Sequence, residues 1–214
     1  MKGSSHAYIG AATGGIVGFQ LNPTDPITIS TSAIIGSISA LVPDLDTNGA
    51  ASNRITLSKS FMQWLMHLVG MGLLIAIVFQ YVQTGITPKI LLFAGIGALL
   101  LVVSRFIKQK RMLTLTGLLV MAIGFVLHQS IGILLAGSYI IIASFLPHRS
   151  YTHSIIGLAF YTFILYHINL QWPIDGLIIA GTAGYASHLI ADMKLLPVNR
   201  RGVKLFAPLW NKEW

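Results

Sequence analysis

Histidine and aspartate, which supply nitrogen and oxygen ligands to divalent metals, are concentrated in a few short stretches of this chain. His188 and Asp192 are four residues apart, so on a helix they share one face, one turn apart. Such a pair can present a nitrogen and an oxygen to one cation. The alternative is a buried hydrogen bond between the two side chains without a metal.

A second stretch, Asp44-Leu45-Asp46-Thr47-Asn48-Gly49, begins like the calcium loop of an EF-hand. The twelfth position from Asp44 is Ile55, where calcium requires a bidentate glutamate. We therefore expect Asp44 and Asp46 to bind Zn²⁺, Mn²⁺ or Mg²⁺. The alternative is a solvated turn that caps a helix.

A third stretch surrounds His148 and His153, which are five residues apart and cannot share one helical face. Pro147 interrupts regular structure, so we place His148 in a loop. His153 is predicted in the first turn of the next helix, capped by Thr152 or Ser150. The alternative is a polar turn at the membrane interface.

Three further residues complete the candidate site. Arg149 and Arg54 follow the candidate ligands closely and suit phosphate oxygens. His6 stands in Ser5–Gly10, which parallels 152–157 in sequence, so we include His6 as a ligand, with chance similarity as the alternative.

The composition is that of an integral membrane protein. Hydrophobic residues make up 54% of the 214 residues and charged residues only 9%, against about 25% charged in soluble domains. The absence of cysteine excludes disulfides and thiolate metal sites. The N-terminal run lacks a clear cleavage site, so we interpret it as a retained helix.

Apolar runs between polar or turn residues predict an all-α, polytopic transmembrane bundle of about eight segments. The segments are 6–20, 27–43, 61–82, 89–106, 112–128, 131–146, 153–169 and 174–192.

The basic residues indicate the orientation of this bundle. If the N-terminus is cytoplasmic, thirteen of the fourteen lysines and arginines lie inside and only Lys89 lies outside. The net charge of +8 is therefore a topological signal, and we expect no nucleic-acid partner. Both termini are predicted to be cytoplasmic, and all the candidate ligands then lie on the cytoplasmic face.

Small residues recur every four positions in the first, second and last segments, and each series ends near a candidate ligand. This spacing allows close helix approach, so we expect these three helices to pack at the centre. Residues 1–46 and 150–192 are predicted to form a metal-site core within one membrane domain. Residues 60–146 would surround it, and 193–214 would form a cytoplasmic tail.

These motifs resemble the YdjM-type family of bacterial membrane-bound metal-dependent hydrolases. The resemblance rests on Ser5-His6-x3-Gly10, Pro43-Asp44-Leu45-Asp46, His148-Arg149-x2-Thr152-His153-Ser154 and Ser187-His188-x3-Asp192. It implies a metal-dependent hydrolase in the bacterial cytoplasmic membrane. The ligand order is also similar to that of the zinc-dependent phospholipase C and P1 nuclease group, which implies two or three metals.

The sequence thus predicts a multi-pass enzyme that hydrolyses a phosphoester of a membrane lipid with one to three divalent ions, zinc first, manganese or magnesium otherwise. Asp46 or His153 would act as general base. A metal-binding transporter is the chief alternative, although transporters place polar groups near the bilayer midplane. A structural or regulatory protein with a stabilising metal is the third. The predicted ligands are His6, Asp44, Asp46, His148, His153, His188 and Asp192.

Overall fold

The structure is a computed structural model that describes residues 3–46, 58–127, 130–194, 202–210 and 212–214, without the side chains of 109 and 110. Most of these residues are helical, and none of them forms a strand. The α-helices are α1 Gly3–Leu21, α2 Pro26–Ser39, α3 Lys59–Thr84, α4 Pro88–Arg105, α5 Gln109–Val126, α6 Ile131–Phe145, α7 Ile155–Gln171 and α8 Leu177–Ala191. Two 3₁₀ turns, Pro43–Asp46 and Tyr151–His153, precede α3 and α7.

The all-helical prediction is confirmed, and one α-helix corresponds to each predicted segment. Three stretches are long and apolar enough to cross a membrane by length and composition: Pro26–Asp46, Lys59–Thr84 and Pro88–Arg105. The helices from α5 to α8 are shorter but also apolar.

The predicted cap of α7 was wrong by two residues. Ser154, in extended conformation, is the N-cap, and its Oγ accepts a hydrogen bond from the Gly157 N–H at 3.3 Å. His153 belongs to the preceding 3₁₀ turn instead of the first turn of α7. The physical reason is that the chain completes this turn after Ser150 before it can enter the helix.

Two compact units make up the fold, one of Met1–Ile55 with Leu113–Trp214 and the other of Thr56–Met112. In the second unit, α3 and α4 form a hairpin that is closest where Gly70 faces Gly97. The Gln63 side chain also donates a hydrogen bond to the Ser104 carbonyl at 3.0 Å.

In the first unit, α1, α2 and α8 pack against one another through small residues, as their spacing predicts. Gly36 of α2 lies at the centre of this packing. A Cβ atom added to Gly36 would stand 2.9 Å from the Gly14 Cα, and one added to Gly184 would stand 2.7 Å from the Gly36 Cα. The three helices can therefore come this close only because these positions lack side chains.

Helices α6 and α7 complete the first unit around a buried core, in which Tyr139 and Ile164 pack with Tyr185 and Leu189 of α8. This arrangement places the C-terminal ends of α2 and α8 beside the turn before α7. The candidate site lies where these ends meet.

Candidate metal centre

The structure brings all seven predicted ligands together at one end of the first unit. His6 comes from α1, and Asp44 and Asp46 come from the 3₁₀ turn after α2. His148 lies in the loop after α6, as predicted, and the remaining three are His153, His188 and Asp192. Arg54, the second predicted phosphate contact, lies outside the described residues.

His188 is fully buried and is held by the end of α2. Its Nδ1 lies 2.7 Å from the Ala40 carbonyl oxygen. Because a carbonyl oxygen only accepts hydrogen bonds, Nδ1 carries the proton. The other nitrogen, Nε2, is then unprotonated in the neutral ring and faces the cluster. A backbone carbonyl that fixes the tautomer in this way is typical of metal-binding histidines.

His153 is oriented by its neighbour Thr152. The Thr152 hydroxyl donates a hydrogen bond to Oδ2 of Asp46 at 2.6 Å, so its oxygen accepts from Nδ1 of His153 at 3.2 Å. In the neutral ring, Nε2 of His153 is therefore also unprotonated. It lies 3.2 Å from Nε2 of His188. Two nitrogen lone pairs at this distance repel unless a proton or a cation lies between them.

Two carboxylates flank this pair of nitrogens. Oδ1 of Asp44 lies 3.6 Å from Nε2 of His153 and 3.8 Å from Nε2 of His188. Oδ2 of Asp192 lies 3.9 Å from the first nitrogen and 3.7 Å from the second. We call these four residues the four-donor cluster.

The four-donor cluster has suitable dimensions for a small divalent cation. Ligands of a tetrahedral zinc ion, with bonds of about 2.0–2.1 Å, are separated by roughly 3.3 Å. The separations given above run from 3.2 to 3.9 Å. Two imidazole nitrogens and two carboxylate oxygens are also a set that zinc accepts. The residues present therefore fit the cation that the sequence predicts.

His6 flanks the four-donor cluster on the side of α1. Its ring is stacked on that of His188 with centroids 3.9 Å apart, and its Nε2 lies 3.3 Å from Oδ1 of Asp192. Its other ring nitrogen, Nδ1, is buried and has no hydrogen-bond partner in the described part of the chain. Donor atoms of His6, His188 and Asp192 lie within 4.8 Å of one another, close enough to share an ion.

His148 lies next to the four-donor cluster, with its ring centroid 5.1 Å from that of His153, and Asp46 orients it. Oδ1 of Asp46 lies 3.0 Å from Nδ1 of His148, while Oδ2 accepts from the Arg149 backbone N–H at 3.2 Å and from Thr152. The His148 side chain is 45% exposed, whereas His153 and His188 are fully buried. Donor atoms of Asp44, His148 and His153 also lie within 4.8 Å of one another.

Arg149 places a positive charge beside these carboxylates. One terminal nitrogen of its guanidinium, Nη2, lies 3.6 Å from Oδ2 of Asp192. Its backbone has a φ of 61°, in the left-handed region that non-glycine residues seldom adopt. The hydrogen bond of its N–H with Asp46 helps to hold this conformation. The site thus contains a cationic group next to the candidate ligands, as predicted.

The cluster strongly perturbs two groups that lie outside the ends of α7 and α8. Burial alone would lower the pKa of His153, but Asp44 and Asp46 outweigh it and raise that pKa to about 9. Burial alone would raise the pKa of Asp192, but a hydrogen bond from His6 holds that pKa below its usual range. A cation bound to Nε2 of His153 would therefore replace a proton at neutral pH.

Sequence reasoning missed the tyrosines that support the site. The Tyr185 hydroxyl donates a short hydrogen bond to the Thr152 carbonyl, and it lies 2.9 Å from the Tyr139 hydroxyl. These two residues tie α8 and α6 to the turn that carries His153. The available signal was a hydroxyl-bearing side chain within an otherwise apolar helix, one turn before His188.

Two of the three histidines that we did not select make contacts away from the candidate site. Nδ1 of His67 lies 2.7 Å from the Gln63 carbonyl of its own helix. His167 makes edge contacts with the rings of Phe163 and Tyr166. His128 lies outside the described residues.

Apolar helices with a buried histidine–aspartate cluster at their ends define a helical membrane protein with a candidate metal centre. Residues 123–214 match the model of the family described as YdjM inner membrane protein, which confirms the resemblance over that part of the chain. This match and the apolar helices together indicate that the chain is an inner membrane protein. Neither the curated proteins nor the solved structures gave a match.

Proposed function

We propose that this protein is a metal-dependent hydrolase that cleaves a phosphoester of a membrane lipid at the cytoplasmic face of the inner membrane. The observation that carries the proposal is the four-donor cluster, in which two histidines of fixed tautomer direct Nε2 at each other and two carboxylates flank them. Histidines and acids so deeply buried in a membrane protein indicate a functional site.

Zinc is the first choice for the cation, and manganese or magnesium are the alternatives. Asp44, His153, His188 and Asp192 would hold it. When bound, it would lower the pKa of a water molecule and polarise a phosphoryl oxygen. Two separate groups of three donors, one with His6 and one with His148, are each close enough to hold an ion, so the proposal includes a second ion.

The protein side chains would then divide the remaining work. Both carboxylate oxygens of Asp46 are engaged in hydrogen bonds, one of them with His148. We therefore favour Asp46 as the group that orients His148. Among the four predicted histidine ligands, His148 has the most exposed side chain, so solvent can reach it. The assignment of Asp46 or His153 as general base stays a prediction, and these contacts favour His148 as a third candidate.

Arg149 would bind the phosphate of the substrate. Its guanidinium lies next to Asp192, so an anion held by Arg149 would stand beside the four-donor cluster. Bidentate pairing with phosphate is a common use of arginine. The location at helix ends also suits a headgroup, because the reacting bond need not leave the membrane. The cytoplasmic orientation rests on the distribution of lysine and arginine.

One observation favours the structural alternative, in which the metal only stabilises the fold. Three of the four donor side chains are almost completely buried, and that of Asp44 is 16% exposed. Zinc sites with four protein ligands and no open position are usually structural. In the enzyme that we propose, the open position lies toward Asp44 and His148, where solvent reaches the site.

The test is to purify the protein in detergent, measure bound metals by elemental analysis, and assay phosphate release from a panel of phospholipids. Asp44→Asn and His188→Ala should lose bound metal and phosphate release together. His167→Ala is the matched control, since it removes a histidine outside the cluster, and it should retain both.

Two results would contradict the proposal. Wild-type protein without stoichiometric metal would remove its basis. Metal that depends on His188 while no phospholipid is hydrolysed would support the stabilising metal instead.

A further inference from the structure

A groove runs along the first unit between α6, α7 and the turn Tyr151–His153. Its volume is about 190 Å³, and Ile142 and Leu146 of one helix face Ile156 and Phe160 of the other. Thr152 also lines the groove. The groove therefore includes a residue that belongs to the hydrogen-bond network of the candidate metal centre.

The polar groups of the lining residues are turned away from the groove. The Tyr139 hydroxyl is engaged with Tyr185, and the Thr152 hydroxyl is engaged with Asp46. The remaining surface is hydrocarbon. Such a groove offers nothing to a polar ligand, because a buried polar group without a hydrogen bond is costly.

The groove is not enclosed, because two of its lining residues, Ile142 and Ile156, are 53% and 50% exposed. Both belong to apolar helices of an inner membrane protein, whose exposed apolar side chains contact the hydrocarbon of the bilayer. An acyl chain can enter the groove sideways without crossing water.

We propose that the groove binds one acyl chain of a lipid whose phosphate lies at the metal centre beside Arg149. This inference rests on the proposed function and narrows the substrate to lipids with an acyl chain. Two features select the acyl chain as occupant: the groove is lined by apolar side chains that are partly exposed, and it shares Thr152 with the metal centre. The adjacent cationic Arg149 complements the phosphate to which such a chain is attached.

The groove would orient the substrate more than it attracts it. Lipid tails are as apolar as the groove, so transfer of a chain from the bilayer gains little. Fixing the chain restricts the position of the attached phosphate, and restricted position raises the rate of the chemical step. The expected effect of blocking the groove is therefore on rate.

The test introduces a larger side chain at two exposed lining residues of the groove, with the variants Ile142→Trp and Ile156→Trp. The matched control is Ile34→Trp on α2, where the isoleucine is 59% exposed and lies outside the groove. Hydrolysis of a long-chain phosphatidate should fall about tenfold or more in the groove variants. Hydrolysis of the same headgroup on a short, water-soluble chain should be unchanged, and Ile34→Trp should resemble the wild type on both substrates.

A second readout needs no activity. A phosphatidate with a photoreactive group on its acyl chain should label α6 and α7 of the His188→Ala protein, and either groove variant in that background should lose most of the label. Equal labelling with and without the tryptophan would overturn the proposal and identify ordinary lipid contact. If wild-type protein hydrolyses no phospholipid, the proposed function fails, and the labelling still decides whether the groove holds a chain.

Discussion

Thr152 connects two residues that the sequence singled out separately. Its hydroxyl donates to Asp46 and accepts from His153, and its backbone carbonyl accepts from Tyr185. One small side chain thereby fixes both the direction of a carboxylate and the tautomer of a histidine. Groups of this kind support metal ligands without touching the metal.

Replacing Thr152 by valine should keep the shape and remove these two hydrogen bonds. We expect cation affinity to fall roughly 10–100-fold. The free energy of unfolding should fall by about 1–3 kcal/mol, because buried acceptors and donors lose partners. Metal titration of chelator-treated protein in detergent measures the first, and thermal unfolding the second.

Thr152→Ser keeps the hydroxyl and is the control for this change. It should bind the cation nearly as the wild type does. Wild-type affinity in Thr152→Val would show that the hydroxyl does not orient His153.

For single residues, the sequence predicted which side chains lie together better than it predicted the contacts among them. Histidine and aspartate are visible in a sequence, so His153, His188 and Asp192 could be proposed from residue type and spacing. The contact between Asp46 and His148 could not be proposed from the sequence, because it joins residues about a hundred positions apart. Arg54 lies outside the described residues, and its role stays a prediction.

The close packing of α1, α2 and α8 requires that certain positions carry no Cβ atom. Gly36→Ala should destabilise the protein by about 1–3 kcal/mol, because the added methyl group would meet the backbone of α1. The expected measurement is a lower midpoint of thermal unfolding in detergent, with less bound metal.

Gly72→Ala on α3 is the matched control. A Cβ atom at Gly72 would meet nothing within 4 Å, so this variant should be neutral or gain up to about 1 kcal/mol of helix stability. Equal destabilisation by the two substitutions would contradict the close packing at Gly36.

The start of α7 gives a second prediction for an element. Ser154→Ala removes the N-cap and should lower the free energy of unfolding by about 1 kcal/mol. Ser150→Ala should have little effect, since the Ser150 Oγ is buried and has no partner in the described residues. Chemical denaturation measures the free energy of unfolding of both variants. A larger decrease in Ser150→Ala than in Ser154→Ala would show that Ser150 caps α7, as the sequence suggested.

The helices could be predicted because long apolar runs are easy to recognise in a sequence. The ends of the helices were predicted less well. Asp25 caps α2 as its position before Pro26 suggests. The sequence suggested Thr152 or Ser150 as the cap of α7, but the 3₁₀ turn Tyr151–His153 moves the start of the helix and makes Ser154 the cap. Tyr185 was missed because a hydroxyl in an apolar helix does not reveal its partner.

For the whole molecule, the orientation in the membrane is the largest remaining prediction. Because the chain has no cysteine, single cysteines can be introduced without background. Ile86→Cys, 71% exposed in the turn between α3 and α4, should react with an impermeant maleimide in intact cells. Leu209→Cys, 93% exposed near the C-terminus, should react only after permeabilisation.

The reverse labelling pattern would place the candidate site on the periplasmic face. The proposed hydrolysis at the cytoplasmic face would then be wrong, whereas the four-donor cluster itself would be unaffected. Composition identified the chain as a membrane protein because so apolar a sequence is not compatible with a soluble domain, but composition carries no information on a substrate.

The hydrogen bond between Ala40 and His188 has a further consequence. It makes the chemistry of His188 depend on the register between α2 and α8. In the observed register the Ala40 carbonyl accepts from Nδ1, and Nε2 is left unprotonated in the neutral ring. A slip of one turn would take the Ala40 carbonyl away from Nδ1, so neither the tautomer nor the direction of the His188 ring would be fixed toward the cation, although every ligand is still in the sequence. Substitutions at the glycines between these helices could therefore behave like active-site mutations, although they touch no ligand.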